Sequence, residues 1–262
     1  DSSAHKVCVA TNMKEFKYRP KVIQAATEAK LASYPERIES GKYNIIFEPM
    51  AFANLVNEIG RATIAESVET GSSFYINKLN KQVTNEKFSL FDVGNLARGL
   101  GSRPFDSEGR PTKATELISS GTLKTYLTNS SSAKRFKLQP TGNAGILCAK
   151  PSNLVVPIGR KSDEKLLAGL DDGLVITNSW YHRYQNYIKG SFSVLPRDAI
   201  FVVKGGKIIG SAKDIRISGD MINLMKNVDE LSNKKERIVN WESDIPTEVP
   251  SIRINNIKIT SV

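Results

Sequence analysis

The order of apolar and polar residues predicts two helices in the first quarter of the chain. Arg19-Pro20 is expected to begin the first helix, which ends before Pro35. Its apolar residues form a stripe and are Ile23, Ala26, Ala29 and Leu31. Pro49 suits the first turn of a second helix. The apolar residues of that helix follow i, i+3, i+4, i+7 spacing and are Phe52, Leu55, Val56 and Ile59. This spacing predicts that the second helix packs one face against the core.

Short apolar or alternating runs predict strands along most of the remaining chain. They cover residues 6–10, 43–47, 88–93, 154–158, 174–177 and 252–259. Two hairpins are predicted, one over 115–127 turning at Ser120-Gly121 and one over 200–209 turning at Gly205-Gly206. Short helices are expected at 163–167 and 220–228. The sequence therefore predicts an α+β fold, with a mostly antiparallel sheet and a few packed helices.

Composition and charge exclude some classes of protein. The chain is 40% hydrophobic and 24% charged, which is ordinary for a globular protein. No apolar run approaches the ~20 residues of a membrane helix, and the first residues lack the apolar core of a signal peptide. The net charge is +10, but no basic run exceeds a pair such as Lys134-Arg135. Because clustering marks a phosphate-binding surface, a nucleic-acid partner is not favoured.

The two cysteines, Cys8 and Cys148, lie far apart in the sequence. This usage argues against a disulfide framework and favours a reducing cytoplasm. Cys148 follows Ile146-Leu147, and we expect it to be a buried, unreactive thiol.

Polar and aromatic residues concentrate in segment 180–187, which contains four aromatic side chains, a histidine and an arginine. Trp, Tyr and Arg are favoured at interaction hot spots, so this segment is a candidate groove or interface. The alternative is an aromatic sheet edge that packs on the core. The tight turn at 141–144 either shapes a cleft or only connects strands. The candidate binding residues are Trp180, His182, Arg183, Asn186 and Asn143.

Several segments in a fixed order resemble the TldD/PmbA family. The most specific is 104–112 (PFDSEGRPT), which is similar to the family pattern D-x-E-G-x-P-T. Others are 121–127 (GTLKTYL), 141–144 (TGNA), 190–193 (GSFS) and 216–221 (RISGDM). The resemblance implies that residues 39–262 form the family's C-terminal domain. It also implies that residues 1–38 are the tail of a largely absent N-terminal domain.

The family resemblance also implies that two cytoplasmic subunits form a pair and that only one of them binds zinc. The TldD type binds zinc through an HExxxH motif and a later cysteine, whereas the TldE/PmbA type lacks these ligands and pairs with it. The pair cleaves unfolded proteins or peptides. An older name for the family is modulator of DNA gyrase.

The zinc motif is the point at which this sequence departs from the TldD type. Residues 57–62 (NEIGRA) align with HExxxH, so only Glu58 is retained, as a relic candidate for a general base. No cysteine follows Cys148, and the corresponding tail reads IVNWE at 238–242. A catalytic zinc needs about three protein ligands, but His5 and His182 are the only histidines in the chain.

We therefore expect a chain with no metal site that is not active alone, with zinc in the partner subunit. The expected partners are a TldD-type paralogue or a second copy of this chain, and a peptide or unfolded protein as substrate. No membrane partner is expected. Two alternatives stay open, namely a nucleic-acid- or gyrase-associated accessory protein and a homodimeric scaffold.

Overall fold

The computed structural model describes residues 2–261 of the chain. The helices are α1 (Tyr18–Leu31), α2 (Pro49–Ala62), α3 (Ala65–Glu69), α4 (Ser130–Phe136), α5 (Asp163–Ala168) and α6 (Met221–Lys226). The first strands are β1 (Gly41–Phe47), β2 (Leu90–Val93), β3 (Ala114–Ser119), β4 (Thr122–Leu123) and β5 (Leu154–Val155). The later strands are β6 (Asp172–Asn186), β7 (Ser191–Lys204), β8 (Lys207–Ser211), β9 (Ile215–Asp220), β10 (Val228–Ile238) and β11 (Thr247–Ser261). The predicted α+β class is confirmed.

All of these strands belong to one mixed sheet of 11 strands. Five of them form a closed circuit of hydrogen-bonded neighbours, in the order β1, β6, β7, β9, β11 and back to β1. The pairs are mostly antiparallel, but β1 runs parallel to β6 and β5 runs parallel to β11. No helix within residues 2–261 is long and apolar enough to cross a membrane.

Helix α2 lies in the centre of the hydrophobic core. It contacts β6, β10 and β11, and only Pro49, Glu58 and Arg61 of its 14 residues are not buried. The prediction that one face packs on the core is met, and the polar face is partly buried as well, because Asn54 and Asn57 have hydrogen-bond partners there. Two of the three exceptions, Glu58 and Arg61, lie in its last turns, which places them at the edge of the core.

The predictions for the helices and hairpins are confirmed. The hairpins turn where predicted, at Ser120-Gly121 and at Gly205-Gly206, where the φ angles of 54° and 70° suit glycine. The predicted strand at 174–177 is one part of the much longer β6.

One sequence prediction near the start of the chain is wrong. Residues 6–10 form no strand, because their backbone finds no neighbouring strand. Gly41 begins β1 and pairs with Ile259. The apolar stripe of α1 is largely exposed, as Ile23 is 67% exposed and Leu31 is 55% exposed.

Candidate functional site

The candidate site lies at the carboxyl end of α2, where this helix meets β6 and the loop between β10 and β11. This loop, residues 239–246, contains most of the segment 238–242 that the resemblance aligns with the late cysteine of TldD-type proteins. The fold therefore brings together the two segments that align with the zinc-binding segments of TldD-type proteins and that are predicted to lack the zinc ligands.

Asn57, which the family resemblance aligns with the first histidine of HExxxH, is fully buried. Its Nδ2 atom donates to the carbonyl oxygens of Ala53 and Ile245, each at 3.2 Å, and to Thr247 Oγ1 at 2.8 Å. Its Oδ1 atom accepts from the backbone N–H of Ile245 at 2.9 Å. Both ends of the amide are thus used, and the side chain ties α2 to the β10–β11 loop.

Asn54, one helical turn earlier, extends the same network. Its Nδ2 atom donates to the Ser179 carbonyl oxygen at 2.6 Å, and its Oδ1 atom accepts from Ser243 Oγ at 2.5 Å. We call Asn54, Asn57, Ser243 and Thr247 the amide network. Buried polar groups are stable when each has a partner, and this neutral network meets that condition without a ligand.

Glu58 points away from the amide network into a separate cavity of about 180 Å³. Arg61, Phe74, Tyr184 and Tyr187 also line this cavity. The Glu58 and Arg61 side chains form an ion pair at 3.8 Å. Burial raises the pKa of the Glu58 carboxyl, and Arg61 offsets only part of this shift. Burial, followed by the nearby Glu58 charge, raises the pKa of Tyr184 as well.

His182 is not positioned to act on the Glu58 cavity as a base. Its ring stacks on Phe192 with centroids 4.9 Å apart. Both ring nitrogens are buried and find no hydrogen-bond partner within the described residues. Burial, with a smaller effect from Arg183, lowers the pKa of His182 to about 4, so the imidazole is neutral near pH 7.

Trp180 and Tyr181, in the middle of β6, form an aromatic cluster with Trp241 of the β10–β11 loop. The Trp180 and Trp241 ring centroids lie 5.4 Å apart, and those of Tyr181 and Trp241 lie 5.9 Å apart. Trp241 is 58% exposed and Tyr181 is 41% exposed. Arg183 lies 5.6 Å from the Tyr181 ring centroid, and Arg197 lies 5.8 Å from that of Trp180. These five residues are called the aromatic surface below.

The other two predicted binding residues have visible structural roles. Asn186 Oδ1 accepts from the Lys189 N–H at 2.9 Å and so stabilises the turn after β6. Asn143 is buried at a distant part of the sheet, where its Nδ2 atom donates to Asp92 at 2.5 Å. Burial raises the pKa of Asp92 to about 6 despite this hydrogen bond. Asn143 therefore does not line the Glu58 cavity.

Sequence reasoning missed two features of the site and misjudged a third. The amide network was missed because its partners are more than 100 residues apart in the chain. Trp241 was missed as a member of the aromatic surface because it lies on a different segment of the chain, about 60 residues after Trp180 and Tyr181. Cys148 was expected to be buried, but it is exposed on a loop with Ile146 at 95% exposure.

The family to which the chain belongs follows from comparison with known proteins. Residues 40–261 match the model of the PmbA/TldA metallopeptidase C-terminal domain, and the chain is a member of this family. A metalloprotease PmbA homolog of Buchnera aphidicola is 30% identical over 225 residues, which are 84% of this chain and 48% of that protein. A metalloprotease of Methanocaldococcus jannaschii is 28% identical, over 77% of this chain and 46% of its own length. The chain thus spans about half the length of these relatives.

Solved structures agree with the family assignment. A protein of Thermotoga maritima, described as a candidate modulator of a DNA gyrase, superposes with a TM-score of 0.87. It is 31% identical, and the match covers 96% of this chain and 57% of that one. TldE from Thermococcus kodakarensis superposes with a TM-score of 0.85 at 22% identity, which shows a shared fold.

Members of a metallopeptidase family are expected to bind a metal ion at the active site. The described residues of this chain do not provide the ligands for such an ion. Among residues 2–261, no three His, Cys, Asp or Glu side chains lie close enough together to hold a metal. The resemblance aligns Asn57 and Ala62 with the two histidines of HExxxH, and both ends of the Asn57 amide are already hydrogen-bonded.

Proposed function

We propose that this chain is the C-terminal domain of a PmbA/TldE-like subunit that does not bind zinc. It pairs with a TldD-type paralogue that carries HExxxH, and the pair degrades peptides or unfolded proteins in the cytoplasm. The observation that carries the proposal is the amide network, which occupies the place where a zinc-binding subunit needs ionisable ligands.

The chemistry of that position supports a subunit without its own metal. Zinc is bound by imidazole, thiolate or carboxylate, with the ligands arranged around an open position for water. A neutral amide with every hydrogen bond made to its own protein has little affinity for zinc. Glu58 alone, paired with Arg61, has no metal-bound water from which to take a proton.

The aromatic surface supports a role in contacting another protein. Exposed Trp and Tyr rings beside arginine are the residue types that dominate binding energy at interfaces. Trp241 and Tyr181 pack on each other at the surface and not in the core. We assign this surface to the paralogue or to the polypeptide substrate.

The test is elemental analysis and a peptidase assay on the intact protein, purified alone and co-expressed with a TldD-type paralogue. Alone, it should contain no stoichiometric zinc and cleave no peptide. The co-purified complex should contain zinc and cleave an unfolded substrate such as casein. Stoichiometric zinc and metal-dependent cleavage by the protein alone would overturn the proposal.

A matched pair of variants tests the aromatic surface in the same experiment. Trp241→Ala should reduce the amount of paralogue that co-purifies, or weaken substrate binding by the complex. Phe105→Ala is the control, because Phe105 is similarly exposed, at 61%, and lies outside the aromatic surface. Light scattering on the protein alone measures its molar mass. A dimer that is lost in Trp241→Ala would show that a second copy, and not a paralogue, binds the aromatic surface.

A further inference from the structure

A row of positive charges crosses the outer surface of the closed circuit of strands. The row begins on β6, passes β7, and continues over β9 and β11 to β1. Its cations are Arg183, Arg216, Lys258 and Lys42, and we call these four residues the basic row. Because neighbouring strands lie about 4.8 Å apart, the four steps from β6 to β1 span about 19 Å of the sheet surface.

The pairing of the strands places these side chains on one face of the sheet. Arg183 pairs with Ser193 of β7, and the Arg216 guanidinium donates to the Ser193 hydroxyl at 3.2 Å. Arg216 pairs in turn with Thr260, which lies two residues after Lys258 on β11. Directly paired residues, and residues two positions apart on one strand, share a face of a sheet. The basic row is therefore continuous, with hydroxyl groups between its cations.

The opposite face of the same strands packs on the core. Ile217 and Ile259 alternate with the cations of β9 and β11, pair with each other and are buried. Since successive side chains of a strand point to opposite faces, the basic row lies on the solvent side. Three of its cations are exposed, and Arg216 is half-buried.

The positive charge of the basic row is not compensated by the protein. Lys42 lies directly opposite Lys258, and like charges in this position repel each other. Among residues 2–261, no carboxylate forms an ion pair with any of the four cations. Asp220, at the end of β9, accepts from the Asn223 N–H at 3.0 Å and caps α6. The row thus presents a positive charge that a partner can neutralise.

At its β6 end, the basic row joins the aromatic surface. Arg183 belongs to both, since its guanidinium lies 5.6 Å from the Tyr181 ring centroid. A polypeptide bound to the aromatic surface, as proposed for this subunit, is therefore expected to continue over the basic row. An extended chain of about six residues covers the length of the row.

The chemistry of the basic row favours a polypeptide that binds transiently. Permanent subunit interfaces are apolar and contain few charged residues at their centre, whereas this row consists of cations and hydroxyl groups. A DNA duplex of the same length carries about eleven negative charges, against four cations. An acidic segment of about six residues carries about three or four carboxylates, which the four cations can match.

We propose that the basic row binds an acidic segment of the polypeptide substrate, with Asp or Glu side chains opposite its cations. This assignment rests on the proposed function, in which the subunit contributes to substrate binding. The positive charge attracts an acidic chain before contact is made, and the aromatic surface then binds the adjoining residues.

The test is fluorescence anisotropy of the intact protein, purified without a paralogue, with a labelled peptide of alternating Glu and Ser. The matched probe replaces each Glu by Gln and keeps the length and the label. The Glu peptide should bind at least about tenfold more tightly than the Gln peptide at low salt. A rise from about 20 mM to about 200 mM salt should remove most of this difference. Equal binding of the two peptides at low salt would overturn the proposal.

Variants identify the basic row as the place of binding. Lys42→Glu with Lys258→Glu reverses two exposed charges and should weaken Glu-peptide binding by at least about tenfold. Lys81→Glu with Lys124→Glu is the matched control, because both lysines are exposed, lie outside the row and give the same change of net charge. The control should retain most of the binding. Equal losses in the two double variants would show a response to net charge alone and would overturn the proposal.

Three further outcomes would assign the basic row differently. Tighter binding of a single-stranded thymidine oligonucleotide than of the Glu peptide, lost in Lys42→Glu with Lys258→Glu, would make the row a nucleic-acid surface. Loss of the co-purifying paralogue in the same variant would make it a subunit interface. Either result would overturn the proposal. Absence of Glu-peptide binding, together with zinc-dependent cleavage by the complex, would overturn it as well and leave the proposed function standing.

Discussion

Buried polar groups are stabilised in different ways at the two ends of α2. At the carboxyl end, Asn57 uses both ends of a neutral amide within the protein. At the amino end, the Lys6 ammonium pairs with Glu28 and with Glu48, and burial raises the pKa of the Glu48 carboxyl. The first arrangement is neutral and depends on hydrogen bonds, whereas the second depends on ion pairs. The comparison teaches that one helix can hold buried polar side chains at its two ends by different physical means.

The largest expected change in stability is at the carboxyl end of α2, where the amide network lies. Asn57→Leu removes the amide and leaves the Ile245 N–H, the Ile245 carbonyl and Thr247 Oγ1 with fewer partners. We expect a loss of about 3 kcal/mol in the free energy of unfolding, because unsatisfied buried polar groups cost about 1–3 kcal/mol each. Urea unfolding measures it, with the exposed Asn233→Ala as control. A loss below about 1 kcal/mol would mean that the network is not closed as described.

The next largest change in stability is expected at the amino end of α2, where Lys6 pairs with Glu28 and Glu48. Lys6→Met leaves Glu28 and Glu48 without their cation. Breaking a buried ion pair in a core costs about 3–5 kcal/mol, but Lys6 lies on an extended segment that can move away. We therefore expect a loss of about 2 kcal/mol. Urea unfolding measures it, and Lys42→Met, on the exposed part of β1, is the control. If both variants have the same stability, these ion pairs do not hold the segment.

A smaller effect distinguishes Glu58 by its dependence on pH. Because burial raises the pKa of Glu58, the folded state favours the protonated carboxyl. That contribution is present below the ordinary carboxyl range and is lost as pH rises through the raised value. Glu58→Gln should therefore gain stability relative to the parent as pH rises above the ordinary carboxyl range, about pH 4. Urea midpoints at a series of pH values measure the gain, with Glu116→Gln as the exposed control.

The smallest effect should come from the aromatic surface. Trp241→Ala should lower stability by less than about 1 kcal/mol, because a ring that is mostly exposed loses few contacts. Thermal unfolding checks this expectation. A larger loss would show that Trp241 supports the β10–β11 loop, and would weaken its assignment to a binding surface.

The sequence predicts the local elements of this fold well. Helix α2 is recognisable because Pro49 begins it and the apolar spacing of Phe52 to Ile59 continues through it. The hairpin at Gly205-Gly206 is recognisable because two glycines at positive φ permit the turn. Each of these signals is carried by neighbouring residues.

Long-range features are not predictable in the same way. The parallel pairing of β1 with β6 joins residues about 130 positions apart, and no local spacing records it. The apolar stripe of α1 has a typical helical pattern, yet that pattern does not state whether another element covers it. For the site, the missing histidines were evident from the sequence. The amide network in their place was not, because it depends on the β10–β11 loop meeting α2.

Strand β11 has a consequence for how the protein acquires its fold. It is the last of the strands within residues 2–261, yet it pairs with β1, β5, β9 and β10 and completes the closed circuit. Contacts between residues far apart in sequence slow folding, because a long loop must close before they can form. On the ribosome, the closed circuit cannot be completed until the segment through Ser261 has left the exit tunnel. Until then the partner edges of four strands are exposed, which is the condition under which chaperones bind and aggregation begins.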